Sequence, residues 1–290
     1  MSRETEKIFK EFNEFIKGKD IKEEDMEMVL NEFMNKKSTD FENSWDYLDM
    51  AMNADNRKDA LKYAKKALAE DKNCLDAEIM IAELTSDDPE KLKSKYEVLI
   101  NKTEKTLKEE GLFDEDNMGS FWGILDTRPY MRLRYSYLEL LITMGKLSKS
   151  ISECEKLLTL SENDNLGVRY KLLSLYALFE DEASALKLYE RYDEDSAGML
   201  LPIIAMYYKM DNYSEAKKYI KRLNKVNKKV LDFINYFGKE DEEDFQDFIE
   251  SGMYTLGSKE ELLATVTENI ILYNTTSTFF IWLANTYRKK

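Results

Sequence analysis

The 290-residue sequence contains no histidine, two cysteines, three prolines and ten glycines. The absence of histidine excludes Ser-His-Asp triads, Cys-His pairs, HExxH zinc sites and acid/base catalysis by histidine. The sequence also has no CxxC pair, glycine-rich phosphate loop or calcium-binding loop. We therefore expect a non-catalytic protein that uses no metal or cofactor. An enzyme built on carboxylates and tyrosine stays as a weaker alternative.

The two cysteines and the N-terminal sequence predict a cytoplasmic location. Cys74 and Cys154 fall in different predicted helices, so we expect reduced packing residues that are not bonded to each other. The first residues, MSRETEKIFKEF, are charged and lack the apolar stretch of a signal peptide. No apolar run approaches the roughly 18 residues of a membrane helix, so we expect no membrane association.

The net charge of −14 bears on the choice of partner. An acidic surface repels phosphate groups, which disfavours nonspecific binding to nucleic acid or to anionic membranes. Only a local basic patch would reverse this preference. A protein or a peptide is therefore the expected partner.

The scarcity of proline and glycine predicts a chain that is almost wholly helical. Between residues 120 and 191, apolar residues recur at helical spacing and the predicted helices come in pairs. A pair ends about every 34 residues, which is the period of a tetratricopeptide repeat. The predicted fold is an all-α, right-handed solenoid of tetratricopeptide-like helix-turn-helix repeats.

Three segments follow from this pattern. Residues 1–40 predict a helical cap or arm, residues 41–110 predict tetratricopeptide-like helices, and residues 111–290 predict a solenoid with capping helices at its end. Helix pairs are expected at 130–160, 165–192 and 197–226, and an irregular stretch at 111–123. The residues expected to be buried between helices are Trp45, Leu48, Ala64, Leu138, Leu141, Leu157, Leu172, Leu175, Leu188, Ile204 and Ala216.

Four short elements carry a family resemblance: FWGILDTRPYMRLR (121–134), NDNLGVRY (163–170), YTLGSKEE (254–261) and Trp282-Leu283. With them, the stretch from about residue 120 to the end resembles a bacterial branch of proteins similar to the suppressor-of-tumorigenicity-seven family. The resemblance implies a tetratricopeptide-like, cytosolic protein with a binding role, and it implies no reaction. One departure is the acidic run GKEDEEDF (238–245), where the family has a proline-rich link. The cysteine-rich metal-binding tail of some relatives is absent.

Arginine and tyrosine side chains form the first candidate site. Aligning the repeats places five first-helix residues on the inner surface of a concave groove, where they would contact a partner: Arg132, Tyr135, Arg169, Tyr176 and Tyr208. Arg128 is added because it lies four residues before Arg132 and shares its helix face. Arginine binds carboxylates through a bidentate fork, and tyrosine offers a flat amphipathic surface. The alternative is structural, because the arginines could pair with internal acids such as Glu139 or Asp164 and brace the repeats.

A basic stripe forms the second candidate site. Lys218, Lys221, Arg222, Lys225 and Lys229 share one face of a predicted helix, within a run that no acid interrupts. The stripe could contact nucleic acid or an acidic partner, or it could be a solvated outer face.

These patterns favour a non-catalytic scaffold that binds a peptide or protein partner in its concave groove. The alternative function is a nucleic-acid-associated regulator that uses the basic stripe at 217–229.

Overall fold

The computed structural model describes residues 3–19, 21–22, 25–36, 43–236 and 253–288. Within these ranges the regular structure is helical, with sixteen α-helices, two 3-10 helices and no strand. One isolated antiparallel bridge joins Ser120 and Ser161. The predicted all-α class is therefore confirmed. The acidic run at 238–245 lies outside the described residues, as do parts of the N-terminal segment 1–40.

Contacts divide the chain into two compact units. Unit 1 comprises residues 1–146 and 159–162, and unit 2 comprises residues 147–158 and 163–290. The helices of unit 1 are α1 (Arg3–Ile16), α2 (Met26–Lys36), α3 (Ser44–Met52), α4 (Arg57–Glu70), α5 (Leu75–Leu84), α6 (Pro89–Glu109) and α7 (Arg128–Thr143). Between α6 and α7 there are only turns and the 3-10 helices Glu115–Asn117 and Leu125–Thr127, in agreement with the irregular stretch predicted at 111–123.

Unit 2 contains most of α8 and the remaining helices. They are α8 (Leu147–Leu160), α9 (Val168–Phe179), α10 (Glu182–Tyr192), α11 (Ala197–Lys209), α12 (Tyr213–Val226), α13 (Val230–Tyr236), α14 (Lys259–Glu268), α15 (Ile270–Asn274) and α16 (Phe279–Arg288). The pairs predicted at 165–192 and 197–226 correspond to α9–α10 and α11–α12.

Short polar side chains explain where many helices begin. Asn43 accepts hydrogen bonds from the backbone N–H groups of Trp45 and Asp46, and the Asp46 carboxylate accepts from the backbone N–H of Asn43. This capping box satisfies donors that the first turn leaves without partners. Asp181 and Asn212 cap α10 and α12 in a similar way.

Three helices of unit 2 are followed by a non-glycine residue whose backbone is in the left-handed conformation. Glu180, Asp193 and Asp211 have φ angles of 58°, 44° and 54° and follow α9, α10 and α11. Glycine usually occupies this position because it has no Cβ to clash with the following carbonyl.

Small side chains let the helices of unit 1 approach closely. Helix α4 packs against both α3 and α5, and Ala60, Ala64 and Ala67 are buried on it. Ala67 joins Leu48 and Ala77 in one core cluster. Helix α7 packs against both α5 and α6.

Helix α11 forms the centre of unit 2. It packs against α9, α10, α12 and α14, and every side chain from Met199 to Tyr207 is buried. Helix α9 also packs against α10. Helix α9 therefore contacts both α10, the other helix of its pair, and α11, the first helix of the next pair. Helix α13 packs against α14 and α16 at the C-terminal side of the unit.

Ten of the eleven residues expected in the core are buried, and Trp45 is the exception. The prediction for Trp45 is wrong because its ring lines an open cleft in unit 1, where the Lys10 ammonium lies 5.6 Å from the ring centroid. Cys74 and Cys154 are both free cysteines. None of the described helices combines the length and the apolar character that a membrane span requires.

Candidate functional site

Arg132, on α7, is held by two buried carboxylates of unit 1. Its Nε and Nη2 atoms donate to the two oxygens of Asp76 at 2.8 and 2.6 Å, and Nη1 and Nη2 donate to Glu6 at 3.0 and 3.2 Å. Burial lowers the pKa of the guanidinium, but the hydrogen bonds and charges of Asp76 and Glu6 outweigh it and raise that pKa. Arg132 thus ties together α1, α5 and α7.

The neighbouring arginines of α7 are also engaged within unit 1. Arg128 is 4% exposed, donates from Nε to the Trp122 carbonyl at 2.8 Å and lies over the Trp122 ring. Arg134 donates to the Tyr130 hydroxyl at 2.6 Å, and both groups donate to Glu104. The TRPYMRLR element is therefore a network of internal contacts at the start of α7.

The NDNLGVRY element forms an equivalent network in unit 2. The Asp164 carboxylate accepts hydrogen bonds from the backbone N–H groups of Val168 and Arg169 at 2.7 and 2.9 Å, which caps α9. The same carboxylate accepts from Nη1 of Arg169 at 2.9 Å. Burial raises the pKa of Asp164, although these hydrogen bonds and the arginine charge oppose it.

Glu194 completes this network from the residues after α10. Its Oε2 atom accepts from Nε and Nη2 of Arg169 at 3.1 and 2.8 Å, and its Oε1 atom accepts from the Tyr170 hydroxyl at 2.8 Å. Burial by itself raises the pKa of Glu194, but hydrogen bonds from nearby hydroxyls and the charge of Arg169 prevail and lower it. Arg169 therefore braces α9 against the segment that leads into α11.

Gly198 is adapted to this network, because a Cβ added there would lie 2.7 Å from Cδ1 of Tyr170. We expect Gly198→Ala to lower the free energy of unfolding by about 1–3 kcal/mol through overpacking, as measured by urea denaturation. In a Tyr170→Ala background the ring is absent, so the same change should be neutral or stabilising. An equal loss in both backgrounds would contradict the proposed clash.

The YTLGSKEE element places a buried carboxylate at the start of α11. Glu261 is 3% exposed and accepts hydrogen bonds from the backbone N–H groups of Ala197 and Gly257 at 2.8 and 2.7 Å and from Nδ2 of Asn227 at 3.0 Å. All three donors are uncharged. The partial positive charge at a helix N-terminus favours a carboxylate in this position. Glu261 thus joins α14 to α11 and to the turn after α12.

The three candidate tyrosines have different surroundings. Tyr176 is buried, and its hydroxyl donates to Glu155 at 2.8 Å. Tyr135 is half-buried on α7. The Tyr208 hydroxyl lies 2.7 Å from the Thr278 hydroxyl, and its ring centroid lies 5.0 Å from that of Trp282.

Each candidate arginine is thus paired with carboxylates or backbone of its own unit, which is the arrangement expected of the bracing alternative. The pairing of Arg169 with Asp164 is as predicted, whereas Arg132 pairs with Glu6 and Asp76 rather than with Glu139. A role of these arginines and tyrosines in binding a partner stays a prediction.

The basic stripe on α12 is partly neutralised. Lys218 pairs with Glu215, Arg222 with Asp195, and Lys229 with Asp232. Lys221 and Lys225 are exposed, and within the described part of the chain they have no ion pair. The same is true of Lys217, one turn before Lys221. The stripe therefore presents fewer unpaired charges than its sequence suggests.

Sequence reasoning missed a cleft between α12 and α16, which we name the C-terminal cleft. Its volume is about 470 Å³, and its walls include Tyr213, Lys217, Ile220, Lys221, Trp282 and Asn285. The signal was present as Trp282 near the chain end and as the lysine run on α12, but periodicity does not reveal that these two segments meet. Among the described residues, no group of three potential metal-ligating side chains comes together.

No protein-family model matches the chain, and no curated protein matches it.

Proposed function

We propose that the chain is a non-catalytic, cytoplasmic repeat protein of the tetratricopeptide type that binds a peptide or protein partner. The main support for this proposal is the packing in unit 2. There, α9 contacts both α10 and α11, and α11 contacts α12. In helical repeat arrays, such stacking of successive first helices creates an extended surface for other molecules. The resemblance to the bacterial relatives of the suppressor-of-tumorigenicity-seven family agrees with this proposal.

The family-like elements support the repeat framework rather than a reaction. The family-like elements TRPYMRLR, NDNLGVRY and YTLGSKEE each join a helix to another segment of the fold, through Arg132, Arg169 and Glu261 respectively. These contacts favour a structural role for the arginines. A surface that binds a partner is therefore sought among other residues. No observation favours the nucleic-acid alternative, because three of the five stripe cations already have acidic partners.

A displayed random-peptide library tests the proposed function. We expect selection against the immobilised full chain to enrich sequences with a common motif, and the corresponding synthetic peptides to bind with micromolar affinity in a fluorescence anisotropy titration. Heat-unfolded protein serves as the control and should enrich no motif. Failure to enrich any motif over this control would contradict peptide binding.

A further inference from the structure

The C-terminal cleft combines an aromatic wall with unpaired positive charge. The ring of Trp282 lies 5.5 Å from that of Tyr213 and 5.0 Å from that of Tyr208, measured between centroids. Tyr213 is 39% exposed. Exposed aromatic rings on packed helices provide contact area at a low cost in conformational entropy. Such a wall suits an apolar or aromatic side chain of a partner.

The charges around the cleft indicate which groups of the partner would lie on either side of its apolar or aromatic side chain. Lys217 and Lys221 lie four residues apart on α12, so both project from the same face of the helix. Among the described residues neither has an ion pair, and none of the side chains lining the cleft is acidic. Asp211, which accepts a hydrogen bond from the Tyr213 hydroxyl, is an acid close to the cleft. In a chain of net charge −14, two lysines without an ion pair to any described residue give this aromatic wall a locally positive border.

We infer that the C-terminal cleft binds an acidic peptide segment in which one aromatic residue is flanked by carboxylates. The aromatic side chain packs against Tyr213 and Trp282, and the carboxylates pair with Lys217 and Lys221. This inference rests on the proposed function and adds the location of the site and the chemistry of the partner. The cleft volume of about 470 Å³ falls in the range of pockets that enclose one compact group.

The size and charge of the cleft favour a peptide over single-stranded nucleic acid. Nucleic-acid grooves follow the backbone with many phosphate contacts and stack successive bases on several rings. Here two lysines, neither ion-paired with any residue that the structure describes, line one cleft, and the chain as a whole is acidic. A peptide needs only one anchor and a few carboxylate contacts.

Anisotropy titrations of the full chain with the fluorescein-labelled peptide Glu-Asp-Phe-Asp-Glu test the inference. We expect Lys217→Glu/Lys221→Glu to weaken binding at least tenfold and Tyr213→Ala to weaken it at least fivefold. Replacing the peptide's phenylalanine by alanine should have a comparable effect. Far-UV circular dichroism checks that each variant keeps its helices, which the exposure of these side chains leads us to expect.

The matched control is Lys58→Glu/Lys62→Glu, which makes the same charge change at two exposed α4 positions in unit 1. Equal weakening by both double variants would mean general electrostatic attraction and would overturn the inference. Unchanged binding in the cleft variants would place the peptide elsewhere, leaving the proposed function intact. If an oligothymidylate binds the cleft and the peptide does not, the partner class is wrong. If library-selected peptides bind while the acidic peptide does not, the inferred partner chemistry alone fails.

Discussion

Replacing Arg132 by alanine should lower the free energy of unfolding by about 3–5 kcal/mol. The guanidinium is shared by Asp76 and Glu6, whose side chains are 5% and 2% exposed. Without it, both buried carboxylates lose the charge and the hydrogen bonds of the guanidinium, and the nearby Arg128 Nη1 lies 3.9 Å from Glu6. Urea denaturation followed by circular dichroism measures the loss. If Arg132→Ala changed the free energy of unfolding little but abolished partner binding, Arg132 would instead face a ligand.

Two further variants separate bracing from a general effect of removing arginine. Arg57→Ala deletes an exposed ion pair with Asp87, whose members are 56% and 87% exposed, and should cost less than about 1 kcal/mol. The triple variant Arg132→Met/Glu6→Met/Asp76→Leu removes all three charges and should recover much of the stability lost in Arg132→Ala. Buried ion pairs replaced by apolar residues of similar volume commonly behave in this way.

Local features of this fold were predictable because they depend on residues close in sequence. Helical periodicity located α9 to α12, which correspond to the helix pairs predicted at 165–192 and 197–226. The ion pair between Asp164 and Arg169 spans five residues, so a turn before a helix brings the two together. Ala64 was expected to be buried between helices from its spacing, and it is buried on α4.

The long-range contacts could not be predicted, because no periodic pattern specifies which distant side chains meet. Arg132 pairs with Glu6 across 126 positions and with Asp76 across 56. A chain with 57 acidic residues offers many equivalent partners, and packing selects among them. The C-terminal cleft has the same origin, since Tyr213 and Trp282, which both line it, belong to helices that are far apart in the sequence. For Trp45, the sequence predicted burial that the structure does not show. Its helical spacing suggested a core position, but its ring lines a cleft.

Glu261→Ala should cost at least about 3 kcal/mol, because each buried donor left without a partner costs about 1–3 kcal/mol. Ala197 and Asn227 are fully buried, so water does not readily replace the lost carboxylate. The change also removes the negative charge at the start of α11, the most buried helix of unit 2.

Glu261→Gln separates the contribution of charge from that of shape. The amide keeps one oxygen for the Ala197 N–H but turns an NH₂ group toward the donors of Gly257 and Asn227, so its loss should be intermediate. Glu260→Ala is the matched control on the preceding residue and should change stability by less than about 0.5 kcal/mol. Chemical denaturation of the variants, with hydrogen exchange at the Ala197 amide, measures both stability and the local contact. If Glu261→Ala and Glu260→Ala give the same small loss with an unchanged exchange rate at Ala197, the carboxylate does not hold α11, and the YTLGSKEE element requires another explanation.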